Sequence, residues 1–124
     1  MNERVLIVNA DDFGMTEAGD EAILRLFQAG RITSSTILAP AKRAEYACRS
    51  ACDRGLAVGV HWTLHAEWEQ EAWLPSAGAE HVPSLCENRA LIPSSARASR
   101  AAKSGDVTRE LEAQYRFLTE RGAE

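Results

Sequence analysis

Two adjacent carboxylates, Asp11 and Asp12, follow the aliphatic run Val5-Leu6-Ile7-Val8, and His61 and His65 stand in a later apolar stretch. Carboxylates with imidazole make a ligand set for a divalent metal, and a spare carboxylate makes a general base. Neighbouring residues on extended backbone point to opposite sides, so the two aspartates divide naturally into one ligand and one base. An Asp pair after a strand can equally cap the next helix or solvate a turn, and spacing alone does not separate these uses. His61 and His65 would share a metal on a helix, but Ala57 to His65 alternates like a strand. Four residues of strand span about 13 Å. Only one of the pair should therefore ligate; His61 is the better candidate, and His65 reads as a polar residue at the lip of a site. His81 lies in an irregular stretch and reads as surface.

Trp62, Trp68 and Trp73 cluster after that third apolar segment. Sugar rings stack on indoles, so they can form a carbohydrate platform, and they can equally pack down as local core. Cys48, Cys52 and Cys86 lack the C-x-x-C spacing and the fourth ligand of a zinc site, so reduced, mostly buried thiols are expected. There is no G-x-G-x-x-G, no Walker loop and no G-x-S-x-G, which leaves nucleotide binding and serine hydrolysis without support.

The elements that must hold these groups read as an α/β fold of parallel βαβ units. Val5 to Val8 reads as a strand buried on both faces. After a turn at 9–14, Thr16 is a plausible helix N-cap with Glu17 in the first turn, Ala22, Ile23, Leu26 and Phe27 form an apolar stripe, and Gly30 stops the helix. Ile32 to Leu38 reads as a second strand. Pro40 and Ala41 open a second helix that Gly55 closes, and Leu56 to Leu64 reads as a third strand. Strand and helix alternating over short connections predicts right-handed parallel crossovers, with any ligand site beyond the carboxyl ends of the strands. From 66 to 103 the pattern collapses into a Pro- and Ser-rich stretch, read as an irregular loop or lid. A last helix is expected over Asp106 to Arg121, with Val107, Leu111, Tyr115 and Leu118 as its buried stripe.

The 124 residues carry 14 Lys+Arg against 18 Asp+Glu, a net charge of −4. That balance argues against nucleic acid and against an anionic membrane surface. No apolar stretch reaches the roughly 18 residues that span a bilayer, and the N-terminal apolar run is too short for a signal peptide. A cytoplasmic single domain, 1–124, is the expectation.

Three ordered motifs carry a resemblance. Val5 to Thr16, with its Asn9-Ala10-Asp11-Asp12-Phe13-Gly14 string, resembles the N-terminal signature of the YdjC-like carbohydrate deacetylases, the chitooligosaccharide deacetylase group. Gly30 to Thr36 is similar to the second-strand motif of that family, and Val58 to Leu64 to its Gly-x-His-hydrophobic-Thr-Leu motif; Val82 to Leu85 resembles the segment after its variable loop. The resemblance implies a distorted (β/α) barrel of the polysaccharide-deacetylase type, of which this chain would be the N-terminal half. It implies a divalent metal, usually magnesium with zinc as the alternative, and removal of an N-acetyl group from an amino sugar. Carried over by position, Asp11 would be the general base and Asp12 and His61 metal ligands, with His65, Trp62 and Trp68 on the substrate. Asp20 replaces the usual Asn, and Trp62 a commoner aliphatic residue. The family takes a further histidine ligand from an Asp-x-His-x-His segment that would follow Glu124. Weak metal binding and impaired activity are therefore expected of the chain by itself, and an open half-barrel favours homo-oligomers. The competing expectation is a non-catalytic sugar-binding or self-associating module; a metal-dependent phosphoesterase is weaker, because few basic residues lie near Asp11 and His61.

Overall fold

The computed structural model describes residues 4–68 and 72–123. Its centre is a parallel sheet in the order β1-β2-β3, formed by β1 (Asn9–Phe13), β2 (Ser34–Ile37) and β3 (Val58–Val60). Helix α1 (Glu17–Gln28) makes the first crossover and α2 (Ala44–Arg54) the second, giving the βαβαβ order expected from the sequence. The Thr16 hydroxyl accepts from the Gly19 N–H at 3.1 Å and starts α1, and Gly55 ends α2 in the left-handed conformation at φ 59°. Phe13, Ile23, Ile37, Ala47, Cys48 and Leu118 form the main core between sheet and helices.

The first strand lies further along the chain than expected. Pairing begins at Asn9, opposite Ser34, whereas Val5, Leu6 and Ile7 are 86%, 77% and 76% exposed. An aliphatic run is buried on both faces only where layers cover both, and no described residue covers this one. The other limits contract too. Residues 39–43 turn before α2 begins, with the Arg43 N–H on the Gly14 carbonyl, so Pro40 and Ala41 precede the helix. β3 ends at Val60, with one more ladder bond from the His61 N–H to the Ile37 carbonyl at 2.9 Å. Residues 61–65 are therefore not strand. Of the cysteines only Cys48 is fully buried, its thiol pushed up to about 11 by desolvation; Cys86 is half-buried and Cys52 exposed.

The stretch 66–103 carries short elements of its own: a 3-10 turn (Pro83–Leu85), a hairpin of β4 (Cys86–Glu87) and β5 (Ala90–Leu91), and α3 (Ser95–Ala101). Leu38, Trp73, Val82, Leu85 and Leu91 form a second apolar cluster beneath it. Helix α4 (Ser104–Thr119) runs alongside, and its buried face departs from the expected stripe. Tyr115 is exposed, and the buried positions are Asp106, Glu110, Gln114 and Leu118, recurring every fourth residue. The polar three serve backbone that lacks regular partners. Glu110 accepts from the Ser76 and Ala77 N–H groups, each at 2.9 Å. Gln114 accepts from the Thr63 N–H at 3.0 Å and donates to the Thr63 carbonyl at 2.5 Å. Asp106 takes both the N–H and the hydroxyl of Ser84, at 2.9 and 2.7 Å.

Candidate active site

All three parallel strands deliver polar side chains to the sheet's carboxyl end. β1 contributes Asp11 and Asp12, β2 contributes Thr36, and His61 follows β3 directly. The register between β1 and β2 slips between Ala10 and Phe13, and Asp12 sits at φ 67°. This bulge breaks the strict alternation assumed for the aspartates. Both carboxylates approach His61, by different routes: Asp12 Oδ1 lies 3.6 Å from His61 Nδ1, while Asp11 reaches the ring through the Thr36 hydroxyl.

A directed hydrogen-bond network holds Asp11. The Ser34 hydroxyl donates to Asn9 Oδ1 at 2.6 Å, and Asn9 Nδ2 donates to Asp11 Oδ1 at 2.6 Å. Thr36 Oγ1 lies 3.0 Å from the same Oδ1 and 3.2 Å from His61 Nδ1. No described residue hydrogen-bonds to Asp11 Oδ2. Asp12 has a different setting. Partial burial pushes its carboxyl above the usual range, the Glu67 and Asp11 carboxylates add to the rise, and His61 opposes it. A cation beside Asp12 would relieve that repulsion.

Asp12, His61, His65, Glu67, Trp62 and Trp73 line one small cavity of about 30 Å³. That volume takes an ion or a water rather than a sugar ring. His65 thus reaches the same cavity as His61, because the chain past Val60 bends away from the strand that would have held them apart. Among the described residues, no group of three or more His, Cys, Asp or Glu is arranged to hold a metal ion. The Asp12 carboxylate and the His61 imidazole are donors of the kind that magnesium or zinc accepts, and together they fill only part of either coordination shell. The tryptophans separate: Trp73 is core at 2% exposure, while Trp62 and Trp68 are each 53% exposed. Trp68 stands outside the lining of the small cavity. His81 is exposed beside Glu80, as expected of a surface residue.

Sequence reasoning passed over Asn9, Ser34, Thr36 and Glu67. A signal was available for two of them: Ser34 and Thr36 alternate with the buried Ser35 and Ile37 on a central strand, so their half-buried hydroxyls share the face opposite the core and need polar partners.

The YdjC-like protein family model matches residues 5–124. The chain belongs to the YdjC-like family. It is 40% identical over 118 residues to a carbohydrate deacetylase of Geobacillus stearothermophilus, covering 94% of this chain and 44% of that protein. It is 41% identical over 63 residues to a chitooligosaccharide deacetylase of Escherichia fergusonii, covering 50% of this chain and 25% of that one. The fold superimposes with a TM-score of 0.82 on a crystal structure of a proposed cellobiose-phosphate cleavage protein from Enterococcus faecalis V583, at 30% identity over 94% of this chain and 44% of the other. This YdjC-like chain thus spans less than half the length of the relatives that match it end to end. No helix among the described residues is long and apolar enough to cross a membrane.

Proposed function

We propose that this chain carries the base and two metal ligands of a hydrolase that removes N-acetyl groups from amino sugars, within the N-terminal half of a distorted (β/α) barrel. One observation carries the reading: Asp11 and Asp12 of β1 and His61 after β3 converge at the carboxyl end of the parallel sheet, with Thr36 of the intervening β2 bridging Asp11 to His61. Relatives named as carbohydrate and chitooligosaccharide deacetylases supply the substrate class.

Asp12 and His61 would hold a divalent ion, magnesium or zinc. Such an ion supplies Lewis-acid polarisation of the acetamide carbonyl and acidifies a water. The rest is the work of side chains. Asn9 and Thr36 hold one oxygen of Asp11 and leave Oδ2 to take the proton of the water that adds to the carbonyl carbon. Carbon–nitrogen cleavage then gives acetate and the free amine, the leaving nitrogen taking the proton that Asp11 Oδ2 accepted from the water. Trp62 and Trp68 offer exposed indole faces for sugar rings, and His65 a hydrogen-bonding edge. With two donors assigned among the described residues where four to six are needed, the 124-residue chain should bind metal weakly and turn over slowly.

The test pairs two measurements on the purified chain. Calorimetry with magnesium and with zinc should show weak binding, abolished by Asp12→Ala and by His61→Ala. Acetate release from N,N′-diacetylchitobiose should be slow and should vanish in Asp11→Asn. Undiminished activity in Asp11→Asn would sink the assignment of the base, and robust turnover would remove the expectation of impairment.

A second reading has its own observation. The exposed Val5–Val8 run and the apolar groove of about 380 Å³ between β3 and α4 favour a self-associating module in which a second copy covers these surfaces.

A further inference from the structure

The Thr36 hydroxyl touches two groups at once, Asp11 Oδ1 at 3.0 Å and His61 Nδ1 at 3.2 Å. It has one proton to give, so the proton positions at the two contacts are linked, and they can be worked out from the far end of the network. An Asn side chain presents an oxygen on one side and an NH₂ on the other. Were Asn9 turned round, its oxygen would face Asp11 Oδ1 at 2.6 Å, acceptor against acceptor. The observed orientation, with Ser34 donating to Asn9 Oδ1 and Asn9 Nδ2 donating to Asp11 Oδ1, satisfies both contacts. Asp11 Oδ1 therefore accepts from Asn9, and a proton on that oxygen would collide with the amide hydrogen. Its contact with Thr36 must then be supplied by the Thr36 proton. With that proton committed, Thr36 Oγ1 meets His61 Nδ1 as an acceptor, Asp12 Oδ1 stands 3.6 Å from the same nitrogen as a second and longer one, and the imidazole must carry hydrogen on Nδ1.

We propose that Thr36 is a positioning residue that locks neutral His61 in the Nδ1–H tautomer, so that Nε2 is the nitrogen left with a lone pair for a metal, while the same hydroxyl anchors the base Asp11. Free imidazole side chains favour the opposite tautomer. One β2 hydroxyl thus ties the orientation of the base to the proton on His61 Nδ1. A neighbour that fixes the tautomer of a ligating histidine commonly controls metal affinity about 10–100-fold. The tautomer assignment rests on the hydrogen bonds alone; its meaning for catalysis rests on the function proposed above.

Long-range proton–nitrogen correlation NMR, with the ring neutral, tells a protonated ring nitrogen from a bare one. Wild type should show His61 with hydrogen on Nδ1. Thr36→Val keeps the shape and removes the hydroxyl, and should shift His61 toward the Nε2–H form; Thr36→Ser should restore the wild-type pattern. Titration with zinc as the probe should perturb Nε2, and Thr36→Val should weaken zinc binding by about tenfold or more, with recovery in Thr36→Ser. A wild-type His61 with a bare Nδ1, a Thr36→Val spectrum unchanged from wild type, or zinc seated on Nδ1 would each overturn the proposal. Should zinc fail to bind any of the three proteins while the tautomer responds as stated, the role of Thr36 stands and the metal-dependent function falls.

Discussion

Asp12 shows how much a single backbone angle can decide. At φ 67° it occupies a region that side-chain-bearing residues enter rarely, Asp and Asn more readily than most. That conformation is part of the bulge that lets two consecutive carboxylates approach one imidazole. Asp12→Asn should therefore preserve stability while removing the charge that a cation would need. Asp12→Val, β-branched at a left-handed position, should cost about 1–3 kcal/mol, and urea unfolding of the two variants beside wild type measures the difference. Gly14, two residues on at φ 94°, has no such latitude, since a Cβ there would stand 3.0 Å from the Ala44 Cα. Asp11, Asp12 and His61 could be singled out by type and by their place after the first and third strands, while the roles expected of them came from the family resemblance. The bulge that unites them was not legible, because a strand with one extra residue reads like any other strand.

Among the elements, α1 is the one whose start the sequence specified most fully, since Thr16 caps it as expected. Of its expected stripe Ile23 and Phe27 pack on the core, whereas Ala22 and Leu26 are exposed and Asp20 and Leu24 turn inward. Helix α4 was placed within about one turn, but its inner face was misread. An apolar stripe was expected, and Asp106, Glu110 and Gln114 turned inward instead. The reason is that their partners are backbone groups of an irregular segment, which no periodicity announces. Gln114→Leu leaves the buried Thr63 N–H and carbonyl without partners. It should cost about 1–3 kcal/mol and speed hydrogen exchange at Thr63 well before global unfolding. Asp106 gives this helix a pH dependence. The Ser84 hydroxyl and N–H, and then Arg109, hold its carboxyl below the usual range. A group depressed in the folded state contributes stability that is complete above its unfolded value, near 3.9, and is lost as pH falls through its folded value. Melting temperatures should accordingly fall more steeply below that range in wild type than in Asp106→Asn, which starts lower.

At the scale of the whole molecule the sheet has two edges, β1 and β3, and four consecutive aliphatic residues stand in solvent ahead of β1. The composition predicted a chain able to bury a core, and it does bury one, around Phe13 and Ile37. Composition could not reveal which apolar residues would be left outside it, since that depends on which layers are present to cover them. Exposed strand edges and contiguous apolar surface promote association. Sedimentation velocity should show wild type shifting to larger species as concentration rises, and Ile7→Lys should reduce the shift. A wild-type monomer at high concentration would remove the self-associating reading. The hydrogen bonds from α4 also set an order of events. Gln114 holds Thr63 across 51 positions, Glu110 holds Ser76 across 34, and Asp106 holds Ser84 across 22. On a ribosome, β1, β2 and β3 can pair as soon as they emerge, whereas Thr63, which lines the cavity beside His61, must wait for Gln114 of α4 to be synthesised. Contacts this distant close late and slowly, so a nascent chain would bring Asp11, Asp12 and His61 together before the segment that follows them was fixed.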